Sequence, residues 1–366
     1  MATIQGMKQW MKHPMAAVRM ILFIMAILSN IGAAGTAAAQ TMNWTEIEIN
    51  ENDRPPVRSF PGMCYDAARG VIVLHGGRYR DTLDGIQKSL NDTWEFDGAS
   101  WKQVSTSGPS RTGFQMAYDE NRGVCVLYSG YEVNDSWTVK ADAWEWNGEQ
   151  WRLASETSKE PGQAHGLTYD PVRQKVVRHG GGTPEDPARY STTYEWDGNE
   201  WTEITQDGPP GYTGLYFDTR LQKVMAITSS YSTVLGFEGE LWELDGNQWV
   251  RNTQYLLDME IPWGQSYAFD SARNVLVTFG GERDVSLGYF TNYWEDRTME
   301  WDGEMFTDVV VDDAPGERSG AVMVYDPTRR QMILFGGVDL LGVYLNETWQ
   351  YKDTSSGIED GLWMMY

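Results

Sequence analysis

From about residue 42 to 353, short apolar runs alternate with clusters of Gly, Asp, Asn and Pro, and one pattern keeps returning. An apolar run ends in Tyr-Asp or Phe-Asp. A short polar turn follows, then a second apolar run that often ends in Gly-Gly. After a variable stretch comes aromatic-x-aromatic-Asp-Gly-x-x-aromatic. Runs this short, bounded by turn formers, read as strands. The Asp that closes the first run falls at Asp66, Asp119, Asp170, Asp218, Asp270 and Asp326, at spacings of 53, 51, 48, 52 and 56 residues. A sustained period of about fifty residues is the mark of a repeat architecture.

Gly-Gly stands at Gly76–Gly77, Gly180–Gly181, Gly280–Gly281 and Gly336–Gly337; it is degraded to Ser129–Gly130 in the second unit and lost near Thr228–Ser229 in the fourth. The closing hairpin reads WEFDGASW from Trp94, WEWNGEQW from Trp144, YEWDGNEW from Tyr194, LWELDGNQW from Leu241 and MEWDGEMF from Met299. Asp-Gly or Asn-Gly between alternating strands is a strong hairpin signal, because those residues accept positive φ. Each unit thus supplies four strands, a to d. The sixth ends at Trp349 and Tyr351 without a strand d, and Asn43-Trp44-Thr45-Glu46-Ile47 near the other end matches Trp201-Thr202-Glu203-Ile204. A ring closed by that N-terminal strand leaves no open edge. The expected fold is all-β, a six-bladed β-propeller over 40–353.

Tyr-Asp, Gly-Gly and the aromatic hairpin resemble the kelch repeat, and NDTWEFDGASW from Asn91 and NETWQYKD from Asn346 lie close to its consensus. The resemblance spans residues 42–353 and departs from the pattern in the second and fourth units. It implies a kelch-type propeller. In it, the repeated Gly, Trp and Asp are structural: turn conformation, packing between blades, and local caps.

Composition narrows the function. The chain has 366 residues, with 52 acidic against 29 basic, a net charge of −23. No surplus of Lys and Arg is available for phosphates, which excludes nucleic acid as the partner. Lys8, Lys12 and Arg19 precede the apolar stretch Met20–Leu28, and small residues lead to Ala37-Ala38-Ala39. This reads as a signal peptide over 1–39, cleaved after Ala39, with an uncleaved anchor as the alternative. The mature protein is then secreted or periplasmic, off the membrane and a monomer. Removing three basic and no acidic residues takes its charge to −26. Residues 354–366 form a tail outside the repeats.

Propeller topology puts the a–b and c–d turns on one face and the d–a and b–c connections on the other. The a–b turns are short and alike. The b–c loops, near 78–90, 131–141, 182–192, 229–239, 282–297 and 338–345, vary and carry aromatics: Tyr79, Tyr131, Trp137, Tyr190, Tyr231, Tyr344, and a fifth-blade group of Tyr289, Phe290, Tyr293 and Trp294. Variable loops on a rigid scaffold are where binding residues collect. Eight residues before the repeat Asp stand Arg58, Arg111, Gly162, Pro210, Pro262 and Arg318. Five before it stand Pro61, Phe114, His165, Thr213, Gln265 and Ala321. Strand a lines the channel, so Arg58, Arg111, Arg318 and His165 are candidates to converge at its mouth as an anion attractor. The competing reading has the arginines bracing blades through carboxylates.

His75 and His179 occupy the place of Phe279 and Phe335 and read as substitutions at an apolar position; Cys64 and Cys125 read as small buried hydrophobes. No metal or cofactor signature is present. The copper-radical oxidases among kelch propellers need a ligand set this chain lacks. Two functions remain. One is an exported kelch propeller that binds a protein or carbohydrate through the b–c face, with Arg58, Arg111, His165, Arg318, Tyr289, Tyr293 and Trp294 as candidate ligand contacts and no catalytic residue. The other, by resemblance to the exported six-bladed sialic acid mutarotases, is a sugar-modifying enzyme with an Arg-lined site at the channel mouth.

Overall fold

The computed structural model describes residues 41–81, 85–134, 136–156, 163–182, 191–209, 213–232, 236–252, 261–284 and 292–355. The expected signal segment lies outside them, as does the tail beyond Ser355. Six four-stranded antiparallel sheets follow one another along the chain. Blade 1 uses Gly62–Asp66, Val71–His75, Thr93–Phe96 and Trp101–Ser105 as strands a to d. Strand a of blades 2 to 5 is Gln115–Asp119, Gln163–Asp170, Thr213–Asp218 and Ser266–Asp270. Blade 6 takes a to c from Val322–Asp326, Gln331–Phe335 and Thr348–Asp353, and its outer strand is Met42–Glu46, with Trp44 opposite Tyr351. The six a strands touch in a closed ring, blade 6 against blade 1. The chain is an all-β, six-bladed β-propeller closed by its N-terminal strand.

The apolar positions of neighbouring blades pack on each other. Val275, Val277 and Phe279 of blade 5 bury against Trp44, Met323, Leu334 and Tyr351 of blade 6, each large side chain contributing roughly 1.5–3 kcal/mol. Four strand-d tryptophans each add a bond across a seam. Trp44 Nε1 donates to Thr298 Oγ1 at 2.7 Å, Trp101 to Thr348 at 2.8 Å, Trp151 to Thr93 at 2.8 Å and Trp249 to Thr193 at 2.7 Å. Each pair joins a strand d to the strand c of the blade before it. Blade 2 has Ala143 where these four blades have Thr, and Trp201 Nε1 has no acceptor among the described residues.

The departures from the repeat have local explanations. Ser129 holds the left-handed conformation of the glycine it replaces (φ 62°), its hydroxyl donating to Lys140 O at 2.7 Å. Without Gly-Gly, strand b of blade 4 runs on through Lys223–Ser232 and pairs along Gly236–Asp245 as a long hairpin. The Asp-Gly turns are mostly not two-residue loops. In blade 1 Phe96 pairs with Trp101, and Asp97 Oδ1 accepts from the amides of Ala99 and Ser100 at 2.9 and 2.8 Å. Only in blade 4, where Asp245 pairs with Gln248, does the turn close on two residues. Three b–c loops form extra hairpins above the ring: Arg78–Arg80 with Gln87–Ser89, Tyr131–Val133 with Trp137–Val139, and Glu282–Asp284 with Asn292–Trp294.

Candidate functional site

Residues at or just before the start of all six strands a wall a cavity of about 160 Å³ at the channel mouth. All six residues five before the repeat Asp line it: Pro61, Phe114, His165, Thr213, Gln265 and Ala321. The walls add Phe60, Arg78, Tyr131, Trp263 and Tyr267, so rings predominate, and no described lining residue is an Asp or Glu. Phe60 holds φ at 50° and packs tilted against Trp263, 5.0 Å between centroids. Gly320 (φ 66°) lets that ring lie close, since a Cβ there would meet it at 2.5 Å. Gln115, Gln265, Tyr267, Ala321 and Val322 also line a second cavity toward the a–b turns and stand between the two.

Of the four residues expected to converge at the mouth, His165 lines it, buried and edge-to-face with Tyr128 at 5.6 Å. Arg58, Arg111 and Arg318 are not among the lining residues. Arg58 is fully buried, its Nη1 and Nη2 donating to Asp92 Oδ1 and Oδ2 at 2.8 and 2.7 Å and Nη1 also to Gly76 O at 2.8 Å. Arg111 pairs with Asp142 at 2.7 Å and Arg318 with Glu347 at 3.1 Å. A buried guanidinium must be paired, and each of the three is, with a carboxylate of its own blade rather than of an adjacent one. Burial alone would raise the Asp92 pKa, but the Arg58 guanidinium and Trp94 Nε1–H more than offset it and hold it below the usual range. Each of these acids stands two residues before the strand-c tryptophan, at Asp92/Trp94, Asp142/Trp144 and Glu347/Trp349.

The cation at the mouth is one the repeat alignment passes over. Arg78 begins the blade 1 b–c hairpin, with its guanidinium 4.7 Å from the Phe60 centroid and 5.1 Å from that of Trp137. Trp137 is 46% exposed and edge-on to Tyr131, and Tyr344 Oη accepts from Gln87 Nε2 at 3.2 Å. Trp137, Tyr131 and Tyr344 thus gather at this side of the mouth. In blade 5, Trp294 is half-buried on its hairpin, and Tyr293 is placed only by its pairing with Arg283. Tyr289 lies outside the described residues.

His75 and His179 are buried as expected of an apolar position, yet both ring nitrogens are used. Nε2–H donates to Pro109 O at 2.9 Å and to Pro209 O at 3.0 Å, while Nδ1 accepts from Thr93 at 3.0 Å and Thr193 at 2.8 Å. Burial pushes both rings down to about 4, so they stay neutral. Cys64 and Cys125 are buried free thiols, and Cys125 is pushed up by burial and by the adjoining Cys64. No group of three His, Cys, Asp or Glu is placed to hold a metal among the described residues.

Fold and mouth together define the class: a six-bladed β-propeller with an aromatic-lined opening in which no described lining residue is an acid. No family model matches the sequence, and no curated protein matches it. A solved structure described as "Structure of YjhT" is similar, with a TM-score of 0.59 and 12% identity over 81% of this chain and 95% of that one. At this identity the likeness is one of fold.

Proposed function

We propose that the protein is an exported, monomeric, kelch-type propeller that binds a glycan at its channel mouth on the b–c loop face. The carrying observation is the cavity itself: concave, walled by segments from all six blades, rich in rings, and supplied with a few convergent polar groups in Arg78, His165, Thr213 and Gln265. That is the usual make-up of a small-ligand site. A concave mouth suits a sugar unit better than the flat patch a protein partner covers. Trp137 and Trp294 on the surrounding hairpins extend the contact to further units. The mutarotase-like alternative needed Arg58, Arg111 and Arg318 at the mouth, and they are engaged elsewhere. A glycan array probed with the chain lacking residues 1–39, followed by calorimetry on the hits, tests the reading. Trp263→Ala should weaken binding at least tenfold and Trp137→Ala several-fold, with thermal unfolding little changed. Full affinity in the Trp263→Ala protein moves the site off the mouth. A pull-down that returns a protein ligand, with a blank array, replaces the glycan.

A further inference from the structure

Exposed apolar side chains gather where blades 6 and 1 meet on the b–c face. Among the described residues twelve large apolar side chains are exposed. Seven are spread over blades 2 to 5, while Val57, Ile86, Leu340, Leu341 and Val343 come from three segments in contact. The blade 6 loop is bonded to both of the others: Arg58 N donates to Leu345 O at 3.0 Å, Asn346 Nδ2 to Pro55 O at 3.3 Å and Gln87 Nε2 to Tyr344 Oη at 3.2 Å. Hydrophobes scattered singly need no explanation, but a group of them rimmed by polar residues marks an interaction site.

The loop is built to present them. Asp339 Oδ1 accepts from the amides of Leu341 and Val343 at 2.9 and 2.8 Å, Asp339 O accepts from Gly342 N at 2.9 Å, and Asp339 N donates to Val343 O at 3.0 Å. Gly342 supplies the left-handed residue of this turn (φ 78°). The turn leaves Leu341 85% exposed. Leucines held out in water forgo the burial that stabilises others, and regain it only when something apolar covers them.

Charge says what kind of surface covers them. Carboxylates crowd the base of the loop. The Glu46 acid is pushed up by burial and then by Glu347 and Glu48, with Arg54 and Arg318 opposing. Arg318 is itself buried against Glu347, with Glu46 and Asp339 close enough to act on it. Glu46, Glu48, Asp339 and Glu347 thus face two guanidinium groups, of which Arg318 is buried and Arg54 donates to Ile49 O. Like charges held together favour an incoming cation. On a chain of −23 they also repel anionic lipid headgroups and a second copy of the chain.

We propose that the blade 6–blade 1 rim of the b–c face is a docking surface for a protein partner that sets Lys or Arg beside apolar side chains, with Leu340 and Leu341 as anchors and Val57, Ile86 and Val343 around them. The surface does not depend on a glycan being bound at the mouth.

Fluorescence anisotropy on the chain lacking residues 1–39 tests it with three labelled probes: a short amphipathic peptide of Leu and Lys, its counterpart of Leu and Glu, and a peptide of Ser and Lys. The Leu/Lys peptide should bind at least tenfold tighter than either of the others, and its affinity should fall as salt is added. Leu340→Ser with Leu341→Ser should bring it down to the Ser/Lys level. Both leucines are exposed, so thermal unfolding should not move. Val172→Ser, exposed on the opposite face, should keep full affinity. No binding of the Leu/Lys peptide, or full affinity in the double leucine variant, overturns the surface. Equal affinity for the Leu/Lys and Ser/Lys peptides overturns it in favour of general acidity, and equal affinity for the Leu/Lys and Leu/Glu peptides overturns the cationic partner. Phosphatidylcholine vesicles that bind the parent and not the leucine variant replace the protein partner with a bilayer.

Discussion

On the a–b turn face, an arginine follows every repeat aspartate, and every one is paired with it: Arg69, Arg122, Arg173, Arg220, Arg273 and Arg329. Most reach further. Arg69, Arg122, Arg173 and Arg273 also meet a strand-c glutamate, and Arg220 donates to Asp302 O of the next blade at 2.8 Å. On the b–c face, Arg58, Arg111 and Arg318 are spent on acids in the same way, while Arg78 is left among rings. One residue type thus serves as mortar where the repeat supplies an acid and stands among aromatic rings where it does not. The difference lies in the partner, so the way to break the comparison is to remove one side of a pair.

The largest effect is expected at Arg58. Arg58→Met keeps much of the apolar stem but strands Asp92 without its bidentate partner, and breaking a buried pair from one side costs about 3–5 kcal/mol. Chemical denaturation should show it, and adding Asp92→Asn should restore part of the loss. Arg78→Met strands no acid, so its unfolding free energy should stay within about 1 kcal/mol of the parent. Equal losses in the two variants would erase the distinction between an arginine held by an acid and one held by rings.

Next come the buried histidines, neighbours of the same braces. His75 lies near Arg58, Arg111 and Asp92, and His179 near Arg178. Their folded pKa of about 4 lies below the usual 6.5. Above pH 6.5 both states are neutral at these rings and stability does not depend on them. As pH falls from 6.5 toward 4, the unfolded chain takes up protons that the folded chain declines. Each histidine then removes roughly 3 kcal/mol of stability by the lower end of that window. His75→Phe with His179→Phe should flatten this part of the stability–pH curve, because Phe279 and Phe335 fill the same position in blades 5 and 6. An unchanged curve would place the acid sensitivity elsewhere.

How much of this the sequence carries depends on whether a feature obeys the repeat. Strand number, ring closure and the Trp44 match are periodic, and they were legible because six copies average out local noise. The channel-lining set five before the repeat Asp is periodic too, and His165 with its five counterparts came out of the same alignment. The braces were half legible. The arginines stand in plain view in turns such as DAARG and DENRG, and the acids stand two residues before the strand-c tryptophan, but pairing is a fact of three-dimensional approach. Arg58, Arg111 and Arg318 were therefore grouped by shared position when their acids decide their role. Arg78 follows Gly-Gly directly, at the position that Tyr131, Glu282 and Val338 hold in other blades, but nothing in the sequence shows which rings stand against it, and that no described residue lining the mouth is acidic is a property of the assembled mouth. Trp137, Tyr131 and Tyr344 were named as loop aromatics, yet nothing in their spacing shows that Trp137 and Tyr344 meet at one cation or that Tyr131 stands against Trp137.

A smaller effect is expected at the seam bonds. Thr298→Val keeps volume but takes the acceptor from Trp44 Nε1, which is buried and pairs the N-terminal strand to blade 5. An orphaned buried donor costs about 1–3 kcal/mol. Trp201 already lives without such a partner, so the ring tolerates one unsatisfied seam. A loss in Thr298→Val no greater than about 0.5 kcal/mol would mean that packing alone closes the ring.

The smallest effect is expected where the mortar is most exposed. Arg329 Nη1 pairs with Asp326 at 2.7 Å and its Nη2 donates to Asp97 O of blade 1, but its side chain is 33% exposed. Solvent screens such a pair, so Arg329→Ala should cost no more than about 1 kcal/mol. The buried Asp326 keeps the amides of Thr328 and Arg329 at 3.0 and 3.1 Å, so the acid is not stranded as Asp92 would be. The same arrangement recurs around the face, and six weak contacts acting independently differ from six that share geometry. Combining Arg329→Ala with Arg69→Ala, which contacts the next seam, separates the two. Additive losses within about 0.5 kcal/mol mark independent surface pairs. A combined loss well beyond the sum would mean that the arginines of this face act as one ring, and the contrast with the solitary Arg78 would then be one of cooperation as well as of partner.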